Sequence, residues 1–110
     1  MSSQVTTEAW RHVPPLSKVE ADRLIASRAD LVRFLSDRFQ QAFGVGVEDS
    51  SIETFPDGPA VTLVADVSPH PKYNVWGHAV SRTFVDAGAS MPVSVIVRAS
   101  RELLEPARTR

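Results

Sequence analysis

Cysteine is absent from the chain, and this one absence excludes several kinds of chemistry. A protein without thiols forms no disulfide, offers no thiolate to a metal ion and has no cysteine nucleophile. The lack of cysteine also fits a reducing compartment. We therefore expect a cytoplasmic protein.

Long apolar runs and a strong net charge are missing as well. No apolar stretch approaches the roughly 20 residues that cross a bilayer, and residues 1–7 have neither the basic start nor the apolar run of a signal peptide. The net charge of −1 gives no overall attraction to nucleic acid or to an anionic membrane. From these absences we expect a soluble protein without a membrane partner.

The 110 residues leave room for one domain with one apolar core. We predict an N-terminal arm over residues 1–16, a single α+β domain over residues 17–105 and a frayed basic tail over residues 106–110. Trp10 is the large apolar residue of the arm. It either docks on its own domain or reaches another chain as an interface anchor.

Apolar residues at helical spacing predict a helix over residues 17–43. Ser17 and Ser27 each precede an acidic residue by three positions, which is the spacing of helix-capping pairs. The stretch is therefore either one helix or two helices that meet near Arg28. Gly44 stands where a helix often ends in the left-handed conformation.

A period of two predicts strands over residues 47–55, 60–68 and 93–99. A second helix from Tyr73 or Asn74 to Ala87 separates the last two strands, and two prolines predict an irregular linker over residues 68–72. The tight turn makes the first two strands antiparallel, and the helical crossover makes the last two parallel. The predicted fold is a two-layer α-β-β-α-β sandwich: a small mixed three-stranded sheet with two helices on one face.

The sheet face without helices has a composition that suits an interaction surface. It is half apolar, whereas a solvated sheet face is usually polar. We therefore predict a non-enzymatic protein-interaction or assembly module without a cofactor, which self-associates or is a subunit of a larger complex. Scattered surface hydrophobic residues are the alternative interpretation. The predicted interface comprises Phe55, Val64, Asp66, Ile96 and Arg98, with Trp10 and the basic tail as secondary contacts.

Asp66, His70 and His78 are the group of residues with metal-ligating side chains. Asp66 lies near the end of a predicted strand, His70 lies in the linker that follows it, and His78 lies in the first turns of the next helix. The space beyond the carboxyl end of a strand is a common ligand location in α/β units. Two imidazoles and a carboxylate can hold a divalent metal and activate water, so a small metal-dependent enzyme is one alternative. Their spacing matches no established signature. Ser81, three residues after His78, lacks the G-x-S-x-G turn of a serine nucleophile.

The element order α-β-β-α-β resembles that of some KH-like RNA-binding domains, which makes nucleic-acid binding a further alternative. Such domains clamp the nucleic-acid backbone with a G-x-x-G loop, but the linker over residues 68–72 reads SPHPK. Phe55 is the aromatic residue available for base stacking on the sheet. We therefore favour a protein partner. The candidate basic residues are Lys72, Arg82, Arg98, Arg101, Arg108 and Arg110.

Overall fold

The computed structural model describes residues 9–101, which form three α-helices and one three-stranded sheet. The helices are α1 (Lys18–Ala26), α2 (Arg28–Phe43) and α3 (Pro71–Asp86); the strands are β1 (Val47–Phe55), β2 (Gly58–Ala65) and β3 (Ser94–Ala99). A one-turn 3₁₀ helix, Ala9–Arg11, precedes them. None of the helices within residues 9–101 has the length and apolar character needed to span a bilayer. The predicted tail, residues 106–110, lies outside the described residues.

Of the two alternatives predicted for residues 17–43, the structure shows two helices, which meet at Ser27. The Ser17 hydroxyl accepts the Glu20 N–H at 3.1 Å, and the Ser27 hydroxyl accepts the Asp30 N–H at 3.3 Å. Ser27 has an extended backbone, with φ of −128° and ψ of 110°, so the helix cannot continue through it. The two serine caps satisfy N–H groups that have no partner within either helix. Gly44 ends α2 in the left-handed conformation, as predicted.

The start of α3 corrects the expectation that residues 68–72 are irregular throughout. Helix α3 begins at Pro71, and His70 caps it by accepting the Lys72 N–H on Nδ1 at 3.0 Å. Proline is tolerated at the first helical position because the N–H that it lacks would have no partner there. The second proline therefore begins a helix instead of preventing one.

The sheet has the predicted topology, with strand order β1-β2-β3. Strands β1 and β2 pair antiparallel, whereas β2 and β3 pair parallel across the α3 connection. A bulge between Val47 and Asp49 shifts the register of β1 by one residue. Because side chains alternate between faces, the bulge lets Val47 pack on the core although Asp49 points to the opposite face. The α+β class and the mixed sheet are confirmed, while the two-layer sandwich stays a prediction.

One apolar core joins a face of the sheet to the helices. The helices and the sheet both contribute buried side chains to this core, among them Leu35, Phe39, Val61, Leu63, Val67, Trp76, Val80, Phe84, Val93, Val95 and Val97. Trp76 is only 2% exposed and meets Phe39 edge to face, with 5.4 Å between ring centroids. No polar or charged side chain within residues 9–101 is buried. Apolar burial is therefore the main source of stability in the described domain.

Helix α3 packs unusually close to β3 at Gly77. A Cβ atom at this buried position would lie 2.8 Å from the carbonyl oxygen of Val95, a backbone atom that cannot rotate away. Three residues earlier on the helix, the Asn74 side chain accepts the Val97 N–H at 3.1 Å. The missing side chain of Gly77 therefore permits the contact between helix and strand.

We predict that Gly77→Ala lowers the free energy of unfolding by about 1–3 kcal/mol, because the added methyl group forces α3 away from β3. The direction of this change in the free energy of unfolding is informative. At an unhindered glycine in a helix interior, alanine would instead raise stability by about 0.5–1 kcal/mol. Urea unfolding followed by circular dichroism measures the change. Gly46→Ala is the control, because a Cβ there meets no atom within 4 Å. Stabilisation by Gly77→Ala would contradict the proposed contact.

Candidate functional site

The sheet face that points away from the core is the candidate site, and we call it the open face. Its side chains form three cross-strand rows: Glu53–Ala60–Ser94, Ser51–Thr62–Ile96 and Asp49–Val64–Arg98. The members on β1 and β3 are exposed, and those on β2 are half-buried. Phe55 extends the face beyond the first row, at the hairpin end of β1. The structure thus brings the predicted residues Phe55, Val64, Ile96 and Arg98 together on one surface.

Two large apolar side chains border a shallow depression at the hairpin end of the open face. Phe55 is 50% exposed and Ile96 is 46% exposed, and both line this depression of about 240 Å³. Pro59 and Pro92 contribute further apolar walls. The sequence did not identify the prolines as part of the site, because a proline next to a turn is normally interpreted only as a chain breaker.

The depression is shaped by a close contact between the β1–β2 hairpin and the segment before β3. Gly58 lies against Pro92 so closely that a Cβ atom would collide with the Pro92 carbonyl oxygen. Gly58 also has a φ of 144°, which L side chains rarely adopt. The hairpin tip and Pro92 are therefore held together by backbone packing, and Phe55 is fixed near Ile96.

A carboxylate on α1 anchors the loop that carries Pro92. Asp22 accepts both the backbone N–H of Ser90 at 2.8 Å and the Ser90 hydroxyl at 3.0 Å. Its other oxygen lies 2.7 Å from Lys18 Nζ. The Lys18 hydrogen bond, followed by the two Ser90 hydrogen bonds, lowers the pKa of Asp22 from its ordinary value of 3.8 to about 2. Asp22 thus connects α1 to the loop that leads to Pro92.

We predict that Asp22→Asn lowers the thermal unfolding midpoint near neutral pH. Because folding depresses the pKa, the carboxylate contributes its full stabilisation above the ordinary value of 3.8 and loses it as the pH falls through about 2. The difference between wild type and variant should therefore narrow over this acidic range. Circular dichroism melts at several pH values measure it. Asp86→Asn, which alters an exposed i,i+4 pair with Arg82, should have little effect; a pH-independent difference for Asp22→Asn would contradict the assignment.

The outer edge of β3 is covered by α3. The Val97 N–H is bonded to Asn74, and the Val95 carbonyl oxygen lies against Gly77. Backbone groups two residues apart point to the same side of a strand, so two successive positions of this edge are occupied. An added strand would find the Val97 N–H already bonded and the Val95 carbonyl oxygen obstructed by α3.

The outer edge of β1 is protected by different means. The Ser50 N–H is bonded to the carboxylate of Asp49 at 2.8 Å, and the bulge at the start of the strand interrupts its regular pairing. Arg28 reaches the edge from α2 and donates to the Thr54 hydroxyl at 3.2 Å. Bulges and charged side chains are common devices against edge-to-edge pairing. Both edges of the sheet are therefore partly obstructed to pairing with an added strand.

Trp10 packs within its own chain. Its ring stacks on Phe43 with 6.3 Å between centroids and an interplanar angle of 20°. The Arg11 guanidinium lies 4.6 Å from the centre of the Trp10 ring. Of the two predicted possibilities for this residue, the structure thus shows docking on its own domain, although the side chain stays half-buried.

Asp66 follows the end of β2 and pairs with Arg101, whose Nε lies 3.0 Å from the carboxylate. Both side chains are more than half exposed, so the pair contributes little stability. The acidic residue in the row of Arg98 is instead Asp49. The sequence analysis did not single out Asp49, which pairs with Val64 in the same regular register that begins at Phe55 and Gly58.

The structure does not bring Asp66, His70 and His78 together as a ligand set. Within residues 9–101, no group of three or more histidine or acidic side chains is arranged to hold a metal ion. His70 instead caps α3, and His78 is exposed two helical turns further along. Ser81 lies on the same helix as His78 and is half-buried.

We predict that His70→Ala lowers the free energy of unfolding by about 1 kcal/mol, the usual cost of losing a helix N-cap. Asparagine also accepts a hydrogen bond at this position, so His70→Asn should keep most of the stability. His78→Ala on the exposed part of the same helix should change stability by less than about 0.5 kcal/mol. Urea unfolding tests all three variants, and equal losses for both alanine variants would contradict the capping role.

The candidate basic residues do not form a shared groove on the open face. Arg82 pairs with Asp86 at 3.4 Å, and Arg101 pairs with Asp66. The Lys72 ammonium group lies 5.4 Å from the centre of the Tyr73 ring. Of the candidate basic residues within residues 9–101, only Arg98 belongs to the open face. Arg108 and Arg110 lie outside the described residues.

Comparisons with protein-family models, with curated proteins and with solved structures found no match to this chain.

Proposed function

We propose that this chain is a non-enzymatic assembly module that binds a second copy of itself through the open face. The observation that carries the proposal is the pair of large, half-exposed apolar side chains, Phe55 and Ile96, on one depression of that face. Large apolar groups that share a concave surface are typical of protein-binding sites. The protection of both sheet edges directs association to the face.

The energetics favour a reversible contact. Burying the exposed halves of Phe55 and Ile96 contributes on the order of 1 kcal/mol each. Three strands about 4.8 Å apart and about 20 Å long give a face smaller than the roughly 800 Å² per partner of a standard interface. We therefore expect a dissociation constant in the micromolar range or above. Trp10 already stacks on Phe43, so the proposed contact does not depend on it.

We predict that the wild-type chain forms a dimer whose population rises with concentration, and that Ile96→Asp is a folded monomer. The substitution removes apolar burial and places an unpaired carboxylate in the contact. Light scattering from about 10 µM to about 1 mM measures the mass, because this range brackets weak dissociation constants. Circular dichroism verifies the fold of each variant.

Val19→Asp is the matched control, because Val19 is 79% exposed and lies on α1, which is not part of the open face. It introduces the same charge and should leave the dimer intact. A wild type that is monomeric at every concentration would contradict self-association and leave a different partner on the same face. Binding of single-stranded RNA that weakens steeply with salt would instead favour the KH-like alternative.

A further inference from the structure

The open face has an uneven distribution of charge from one edge to the other. Its β1 side carries the acidic residues Asp49 and Glu53, its centre on β2 is uncharged, and its β3 side carries Arg98. Within residues 9–101, Arg98 has no ion-pair partner. Asp49 and Arg98 belong to the same row, on either side of Val64.

Two copies that stack face to face as a symmetric dimer have two simple arrangements. If the two-fold axis runs across the strands, β1 lies over β1 and the acidic residues of both copies confront one another. If the axis runs along the strands, β1 of one copy lies over β3 of the other. Each cross-strand row then faces the same row of the other copy. The second arrangement alone places each Asp49 opposite the Arg98 of the other copy.

We propose that the second copy docks with its two-fold axis parallel to the strands, so that Asp49 and Arg98 pair twice across the interface. The proposal rests on the self-association proposed above and adds its geometry. Sheets stacked about 10 Å apart leave room for an extended arginine and an aspartate to meet. One carboxylate oxygen of Asp49 accepts the Ser50 N–H, and the second is available to the partner.

The same arrangement also suits the apolar residues. Phe55 lies at the hairpin end of β1. At the same position along the strands, the β3 side of the sheet carries Pro92, which lines the depression. An axis along the strands therefore places Phe55 of each copy over the depression of the other, near Ile96. An aromatic side chain seated in a partner's concave surface is a frequent interface anchor.

The test is a charge exchange in the full-length chain, with the dissociation constant measured by sedimentation. Asp49→Arg and Arg98→Asp should each weaken the dimer at least about tenfold, because each places like charges opposite one another. The double variant restores opposite charges and should return the dissociation constant to within about threefold of wild type. Glu53→Arg combined with Arg98→Asp is the matched control and should not restore it, since Glu53 belongs to another row.

The absence of cysteine permits a second, independent measurement. A mixture of Asp49→Cys and Arg98→Cys chains should be linked by a short bifunctional maleimide faster than either chain alone. Faster linking of Asp49→Cys to itself would indicate the axis across the strands and overturn the proposal. A dimer that Ile96→Asp disrupts, but that the charge exchange does not restore, overturns this geometry alone. A monomeric wild type overturns the self-association as well.

Discussion

The contact between Gly77 and the Val95 carbonyl oxygen determines how closely α3 packs against β3. A glycine at this position lets the helix approach the strand backbone, and Asn74 can then bond the Val97 N–H. The same approach buries Trp76, which packs edge to face on Phe39 of α2. The absence of a side chain at Gly77 thus permits both the burial of Trp76 in the aromatic core and the hydrogen bond of Asn74 to the β3 edge. Because that edge is partly obstructed, the proposed association uses the open face instead.

The sequence predicted the parts of this arrangement that follow from local periodicity. Alternation along residues 60–68 and 93–99 placed Val64, Ile96 and Arg98 on the face opposite the core, and the structure agrees. The capping roles of Ser17 and Ser27 were equally visible, because a hydroxyl three residues before an acidic residue is a local signal. Such features depend only on neighbours in the chain.

The features that sequence reasoning missed depend on register and tertiary packing. Asp49 shares a row with Arg98 because the register of the β1–β2 hairpin continues unshifted from Phe55 and Gly58 to Asp49 and Val64, and Val64 pairs with Arg98. Pro92 becomes part of the site only through its backbone contact with Gly58. For the histidines, residue type suggested a metal site as one alternative, whereas the structure shows that His70 caps a helix. The surroundings of Pro92 are therefore set by a distant segment, whereas the cap at His70 is a local contact with Lys72.

The open face combines modest apolar area with charges arranged from edge to edge, and these two properties have different consequences. In the proposed contact, burial of Phe55 and Ile96 would supply affinity, but apolar contact has no preferred direction. Charges on opposite edges contribute mainly to orientation, because a wrong alignment opposes like charges. A weak contact benefits most from such alignment, since few other interactions distinguish correct from incorrect docking. The pairing of Asp49 with Arg98 would therefore determine the geometry of a contact whose strength comes from the two apolar side chains.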